Sequence, residues 1–126
     1  MKAILFSARH EHPTVSGLEP VFGHSVNPVD FQGMDQEASD FLLSPVNHTH
    51  LCLEGLDLYV TGLTPALCAV IRQCLSLCIE LRLWHYDRDL GDYVCQPMIA
   101  VSMEEQDPNS YGVTVPYAPP LKEVTV

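Results

Sequence analysis

Hydrophobic and polar positions along this chain form several strand-length runs and one helical stripe. Residues 2–7 (KAILFS) and 56–61 (LDLYVT) are short apolar runs that end beside polar residues or a glycine, which is typical of buried strands. Over residues 66–78 apolar side chains recur every three or four positions, which predicts a helix that packs one face against a sheet. Residues 79–87 and 92–101, separated by the turn sequence RDLG, predict a β-hairpin.

The order of these elements predicts the fold class. An N-terminal strand is followed by strand, helix, strand, turn and strand, which is typical of an α/β fold, a small sheet with a βαβ crossover followed by a hairpin. We expect strands 56–61 and 81–87 to be parallel neighbours joined by a right-handed crossover. An α+β fold with an antiparallel sheet is the alternative.

Two segments lie outside this pattern. Residues 11–47 carry prolines and glycines too often for long regular elements, so we expect a loop-rich insertion with one helix at Met34–Leu43, capped by Asp35. From residue 104 onward, prolines and acidic residues indicate a C-terminal arm or tail. The prediction is a single globular domain over residues 1–103 followed by an arm at 104–126.

Composition and charge narrow the functional classes. The net charge of −10 repels polyanions, so the chain lacks the basic surface of a duplex nucleic-acid binder. The start MKAILFSARHEH lacks the apolar segment of a signal peptide, and no run approaches the ~20 apolar residues that span a bilayer. We therefore expect a cytoplasmic protein without membrane contact.

The five cysteines are odd in number and lie mostly in apolar runs, as free thiols do in reducing compartments. Cys74 and Cys78 would share a face if the predicted helix continued through both. Two thiols at that spacing can bind a metal, but no second cysteine pair completes a zinc site. The cysteines are therefore expected to be structural.

The turn TGLT at residues 61–64 is the main candidate for chemistry. Gly62 permits close backbone approach, Thr64 offers an N-cap oxygen, and Pro65 suits the first helical position. The N–H groups that follow, from Leu63 onward, lie at the positive end of the helix dipole and can hold a phosphate. The turn has neither dinucleotide nor P-loop glycine spacing, so no NAD or ATP cofactor is expected. A turn that only caps the helix is the alternative.

Polar side chains elsewhere can complete a site at this turn. Ser7, Arg9 and His10 follow the first strand, and ligands of parallel sheets bind outside the carboxyl ends of the strands. Arg9 is the best phosphate partner, because its planar guanidinium pairs with oxygens bidentately. His85 is a candidate general acid or base, with Asp87 as its orienting carboxylate.

Histidines occur in two H-x-H pairs, His10 with His12 and His48 with His50. In extended chain, residues two apart point to the same face, so each pair could chelate a divalent metal. A metal-dependent enzyme that uses these four histidines is one functional hypothesis. A solvated turn around each pair is the alternative.

Residues 56–94, LDLYVTGLTPALCAVI followed by LRLWHYDRDLGDYV, resemble small CRISPR-associated accessory proteins of type III systems. In that family an apolar strand, a glycine, a threonine or proline and a helix lead into a YD…LG…V hairpin. The matching positions are those of the turn and the hairpin: Thr61, Gly62, Thr64, Pro65, Tyr86, Asp87, Leu90 and Gly91. Residues 10–47 and the family's catalytic residues have no match here.

The resemblance implies a Rossmann-like homodimer that binds a cyclic oligoadenylate messenger on its dyad and takes part in antiviral defence. Such a protein dampens the signal by sequestering the ring or by slow cleavage. Ligand-binding candidates are then Ser7, Arg9, His10, Thr61, Gly62, Leu63 and Thr64, with Arg9 and His85 as the candidates for cleavage. A non-enzymatic module whose proline-rich arm and acidic surface dock onto a protein partner is the alternative.

Overall fold

The computed structural model describes residues 1–6, 13–23, 26–104 and 107–114, without side chains for residue 13 or for residues 102 onward. The strands are β1 (Lys2–Phe6), β2 (Glu19–Phe22), β3 (Leu56–Tyr59), β4 (Leu81–Asp87), β5 (Asp92–Glu104) and β6 (Asp107–Thr114). The helices are α1 (Phe31–Leu43), α2 (Pro45–Glu54) and α3 (Thr64–Ser76), and a 3-10 turn covers Pro13–Val15.

The strands form one mixed sheet in the order β2-β1-β3-β4-β5-β6. The first four strands in this order are parallel, and β5 and β6 are antiparallel to their neighbours. The prediction of an α/β fold is confirmed, with β3 and β4 joined through α3 as parallel neighbours and β4 and β5 joined as a hairpin. The alternative, an α+β fold with an antiparallel sheet, is excluded because β2, β1, β3 and β4 pair in parallel.

The three helices cover one face of the sheet. The connections from β2 to β3 and from β3 to β4 cross the sheet in the same direction, so right-handed crossovers place their helices on the same side. Strand residues that alternate along the chain point into this layer and meet one stripe of α1 and of α3. The fully buried members are Ala3, Leu5, Leu56, Leu58, Leu81, Met34, Ala38, Leu42, Ala66, Val70 and Cys74.

The opposite face of the sheet carries a second, aromatic cluster. Ile4, Tyr59, Trp84 and Tyr93 lie there, and in the described part of the chain they are covered by Val15 and its neighbour Leu18. Tyr59 stacks on Trp84 with ring centroids 5.7 Å apart and meets Tyr93 edge-on at 5.0 Å. Beside this row Asp57 accepts hydrogen bonds from Arg82 and Trp84. Those bonds satisfy a carboxylate that is largely withdrawn from solvent.

Residues 11–47 were expected to form a loop-rich insertion. In the described part of this range the expectation is wrong, because regular elements occupy most of it. It contains β2, α1 and the start of α2. The predicted helix Met34–Leu43 is present but begins at Phe31, because Asp30 rather than Asp35 caps it and accepts a bond from the Gly33 N–H at 3.0 Å. Pro45, which suggests a helix end, instead opens α2, where its missing N–H is harmless.

The C-terminal region also departs from the prediction. The expected boundary at residue 103 falls inside β5, and residues 107–114, placed in the predicted arm, form β6 against residues 100–104. This strand pairs with the chain's own sheet. Residues 115–126 lie outside the described residues.

Helix α3 ends before Cys78, so the expected shared face for Cys74 and Cys78 does not form. The Ile79 N–H bonds to the Cys74 carbonyl at 2.9 Å and the Cys78 N–H to the Leu75 carbonyl at 3.4 Å, which is a Schellman ending. Cys78 takes the left-handed position with φ 55° and is exposed, whereas Cys74 is buried in the core. The two thiols therefore lie in different environments and do not form a ligand pair.

Among the described residues, no helix has both the length and the apolar content needed to cross a bilayer.

Candidate functional site at the carboxyl edge of the sheet

The order of the strands places a topological switch point between β1 and β3. From β1 the chain passes to β2 on one side, and from β3 it passes through α3 to β4 on the other. The two connections thus leave neighbouring parallel strands in opposite directions. In open α/β sheets, ligands bind at such a switch point, outside the carboxyl ends of the strands.

Thr61 fastens the two sides of this switch point together. Its hydroxyl accepts a bond from the Phe6 N–H at 3.2 Å and donates to the Phe6 carbonyl at 3.3 Å. The Thr61 side chain thereby adds two hydrogen bonds between the segments of β1 and β3 beyond Tyr59, where the backbone of β3 ends. The end of β1 at Phe6 and the turn after β3 are therefore held side by side.

Gly62 adopts a conformation that requires glycine. Its φ is +84°, and a Cβ there would lie 3.3 Å from Cδ2 of Phe6. Both the left-handed backbone and the nearby ring disfavour a side chain. The glycine thus allows the chain to turn sharply from β3 into α3 while lying against the end of β1.

The N-terminus of α3 lacks a side-chain cap. The N-cap position is taken by Leu63, with no capping hydrogen bond, and Thr64 and Pro65 are the first helical residues. The expectation that Thr64 is the cap is wrong by one position, because the helix begins at Thr64 itself. Since leucine has no polar side-chain atom, the first-turn N–H groups of Thr64 and Ala66 receive no bond from the N-cap side chain.

A cavity of about 240 Å³ opens beside this helix start, between α1 and α3. Phe31, the first residue of α1, is 57% exposed and lies at its rim. Arg72 of α3 forms an ion pair at 3.3 Å with Asp35 of α1, across the cavity. The full lining is Phe31, Asp35, Thr64, Pro65, Cys68, Ala69 and Arg72.

The cavity therefore combines an exposed aromatic ring and a guanidinium group, and it lies beside the start of α3. Sequence reasoning did not identify Phe31 or Arg72 as site residues, because their neighbourhood depends on how α1 packs on α3. The local feature that could indicate Phe31 is its position at the start of α1. The sequence pattern instead predicts a start at Met34, with Asp35 rather than Asp30 as the capping residue.

His85 lies at the same edge of the sheet but does not pair with Asp87. The Val60 N–H bonds to the Trp84 carbonyl at 3.0 Å, which places His85 next to the end of β3. Its Nε2 contacts Oε1 of Gln96 across the hairpin at 2.8 Å. The Asp87 carboxylate instead accepts bonds from the N–H groups of Asp89 and Leu90, so the expectation that it orients His85 is wrong. Aspartate at the start of a turn favours that local bond.

The predicted metal pairs are not supported where they can be observed. His48 and His50 lie in α2, where residues two apart project about 200° apart, so they do not share a face as they would in extended chain. No group of three or more potential metal ligands occurs within the described ranges. Ser7, Arg9, His10 and His12, which belong to the predicted site, lie outside the described residues.

No protein-family model, curated protein or solved structure matches this chain.

Proposed function

We propose that this protein binds a cyclic oligoadenylate at the switch point between β1 and β3 and thereby dampens type III CRISPR signalling in antiviral defence. The observation that carries the proposal is the uncapped N-terminus of α3, which Thr61 and Gly62 hold against the end of β1. The N–H groups of Thr64 and Ala66 receive no bond from the N-cap side chain and lie at the positive end of a 13-residue helix, a position that favours a phosphate.

The cavity next to the helix start suits the remainder of a nucleotide. The exposed ring of Phe31 offers a stacking platform for a base, and stacking tolerates any base because each has a π face. Arg72 supplies a positive charge on the opposite wall, although its pairing with Asp35 reduces the net charge there. A nucleotide phosphate can thus contact backbone amides while its base packs against α1.

A ring with repeated phosphates fits a symmetric pair of such sites. Two copies related by a two-fold axis present the same helix start twice, and an isologous dimer matches a two-fold symmetric ligand. Arg9 follows β1 in sequence and is the proposed charged contact to the phosphates of the ring. The homodimer and the role of Arg9 form part of the proposal.

Sequestration is sufficient for the dampening function, and slow cleavage is its extension. A ribose 2′-hydroxyl can attack the adjacent phosphate without a metal, provided that the protein positions the groups and stabilises the developing charge. Arg9 and His85 are the proposed groups for that step. His85 lies at the correct edge of the sheet, with Gln96 as its partner.

Ligand-induced stabilisation tests the proposal. Thermal unfolding of the purified protein is measured with cyclic tri-, tetra- and hexa-adenylate and with cyclic dinucleotides as controls. A ligand at a hundred times its Kd stabilises the folded protein by about 2.7 kcal/mol, which gives a clear rise in Tm. If none of the cyclic oligoadenylates raises the Tm, the proposal is contradicted, and the protein-interaction module is left as the functional hypothesis.

A matched pair of surface variants localises the binding. Phe31→Ala removes the proposed stacking ring, and Leu53→Ala removes an apolar side chain that is 81% exposed on α2, away from the cavity. Loss of one base stack weakens binding by about 1–3 kcal/mol, whereas the control keeps full affinity. Equal affinities in the two variants contradict the placement of the ligand. Arg9→Ala with Arg88→Ala as its control tests the phosphate contact in the same way.

A further inference from the structure

The outer edge of β5 is open over much of its length. Strand β5 spans Asp92–Glu104, whereas β6 pairs with it only from Ala100 onward. In the described ranges, no strand lies along the outer edge of β5 between Val94 and Ile99. Such an edge presents backbone groups that can pair with another segment, and natural proteins cover or blunt it. The opposite edge of the sheet is blunted, because β2 is four residues long and contains Pro20.

The direction of β6 brings the residues that follow it to this open edge. Strand β6 runs antiparallel to β5 and ends at Thr114, which pairs with Ala100. Residues 115–120, VPYAPP, come next in sequence and lie outside the described residues. In the polyproline II form this segment reaches about 19 Å, and Val94 lies about 20 Å from Ala100 along the strand. Proline has no N–H but keeps its carbonyl, so the segment can accept hydrogen bonds from the edge, and proline in sheets is confined to such outermost positions.

An exposed apolar side chain and a cavity lie at the far end of the open edge. Val94 is 44% exposed, and it pairs in register with His85 of β4. Both residues line a cavity of about 450 Å³ together with Gln96. Continuing the register of β6 by one residue per step places Pro120 beside Val94, and cross-strand neighbours share a face of the sheet. A prolyl ring at that position covers an apolar side chain that otherwise contacts water.

We propose that residues 115–120 dock as a strap along the outer edge of β5 of the same chain, with Pro120 against Val94 at the cavity beside His85. The segment follows β6 directly, so docking within the chain needs no long loop to close, whereas docking on a second copy also costs translational and rotational entropy. Because its prolines cannot donate to the ladder, the strap is held mainly by packing and opens more easily than β6. The docking does not depend on the proposed nucleotide function.

Amide hydrogen exchange of the full chain tests the strap, with mass spectrometry of peptides that cover residues 94–99. Pro120→Asp places a charge beside Val94 and should speed exchange in these peptides at least about fivefold, the factor that corresponds to about 1 kcal/mol of lost packing. Val126→Asp is the matched control. It adds the same charge to the same part of the chain, but in the continued register position 126 lies past the start of β5 at Asp92, so exchange should not change.

A second variant tests the contact from the other side. Val94→Ser removes the apolar partner on β5, and Pro120→Asp should then add little, because both changes break the same contact. Docking within one chain also gives exchange rates that do not depend on protein concentration, whereas docking on a second copy gives protection that rises with concentration. The proposal is overturned if Pro120→Asp leaves exchange of residues 94–99 unchanged, if the effects of the two variants simply add, or if protection rises with concentration.

Discussion

Arg82 donates two N–H groups to the two carboxylate oxygens of Asp57, from Nε at 2.7 Å and from Nη2 at 3.2 Å. The indole N–H of Trp84 adds a third bond to the same carboxylate at 2.9 Å. Arg82 in turn reaches Glu80 and the carbonyl of Glu54. The network joins β3, β4 and the end of α2 on the face of the sheet that the helices leave open.

Replacing Asp57 should therefore destabilise the protein far more than breaking an exposed ion pair. Asp57→Ala leaves the Arg82 Nε–H and the Trp84 N–H without their acceptor, while the rest of the guanidinium keeps Glu80 and the Glu54 carbonyl, and we expect a loss of about 2 kcal/mol in the free energy of unfolding. The control is Asp35→Ala, whose partner Arg72 has a side chain 68% exposed, and which should cost under about 0.5 kcal/mol. Urea denaturation at pH 7 measures both, and equal losses would contradict the prediction.

The same carboxylate should make stability depend on acidic pH. Partial burial raises the pKa of Asp57, but hydrogen bonds and charge from Arg82 and the bond from Trp84 outweigh it and hold the pKa below the ordinary value of 3.8. Because the folded pKa is depressed, the contribution is fully present above pH 3.8 and is lost as the pH falls through the folded pKa. The stability gap between wild type and Asp57→Ala should shrink below about pH 4. A gap of constant size from pH 7 to pH 3 would refute this account.

Gly62 should tolerate substitution poorly. Gly62→Ala places a Cβ in a left-handed residue and 3.3 Å from the Phe6 ring, and we expect a loss of about 1–2 kcal/mol. The control is Gly23→Ala, since a methyl group added at Gly23 would meet no atom within 4 Å and the φ of Gly23 is not positive. Chemical denaturation of the two variants makes the comparison, and it fails if Gly23→Ala is the more damaging change.

Glycine at the end of α3 should have the opposite effect. Cys78 occupies the left-handed position of the Schellman ending at φ 55°, so Cys78→Gly relieves strain and should stabilise the protein by about 0.5 kcal/mol. Cys68→Gly removes a thiol that is also exposed but lies within the helix, and should destabilise the protein by about 0.3 kcal/mol, the difference in helix propensity between cysteine and glycine. Tm values that shift in the same direction for both variants would contradict the role of Cys78.

The five cysteines should differ sharply in reactivity. Burial raises the pKa of the Cys74 thiol to about 12, so this residue should not react with a thiol reagent in the folded state at pH 8. Cys52, Cys68 and Cys78 are exposed and should react first. Mass spectrometry after timed labelling assigns the sites. If Cys74 is labelled as fast as the exposed thiols, the prediction is contradicted, because the reagent then reaches the thiol within the core.

The core of the fold follows from local sequence signals, whereas its flanks do not. The β3–α3–β4 unit and the hairpin have clear periodicities and turn residues, and all of these elements are present, although β3 and α3 each end two residues earlier than predicted. The β2 strand is only four residues long and contains Pro20, which weakens its strand signal. Helix α2 lacks a strong apolar stripe, since its buried residues are Asn47 and Leu51.

The site was only partly predictable for the same reason. Gly62 and Thr61 are conspicuous in sequence, but the bonds from Thr61 to Phe6 join residues 55 positions apart. Phe31 and Arg72 become neighbours only when α1 packs against α3. His85 and Asp87 are two positions apart in a strand, which predicts that they share a face. The Asp87 carboxylate nevertheless bonds to N–H groups of the turn, and the His85 ring contacts Gln96 instead.

The one tryptophan of the chain, Trp84, lies on the aromatic side of the sheet with its indole N–H bonded to Asp57. Fluorescence excited in the indole band therefore comes from a single known place in the fold. Its emission wavelength reports the polarity of that surface without any attached label. Dilution series, acid titrations and mixtures with candidate partners can all be followed by the same optical signal, and a change in it refers to β4 and its immediate surroundings.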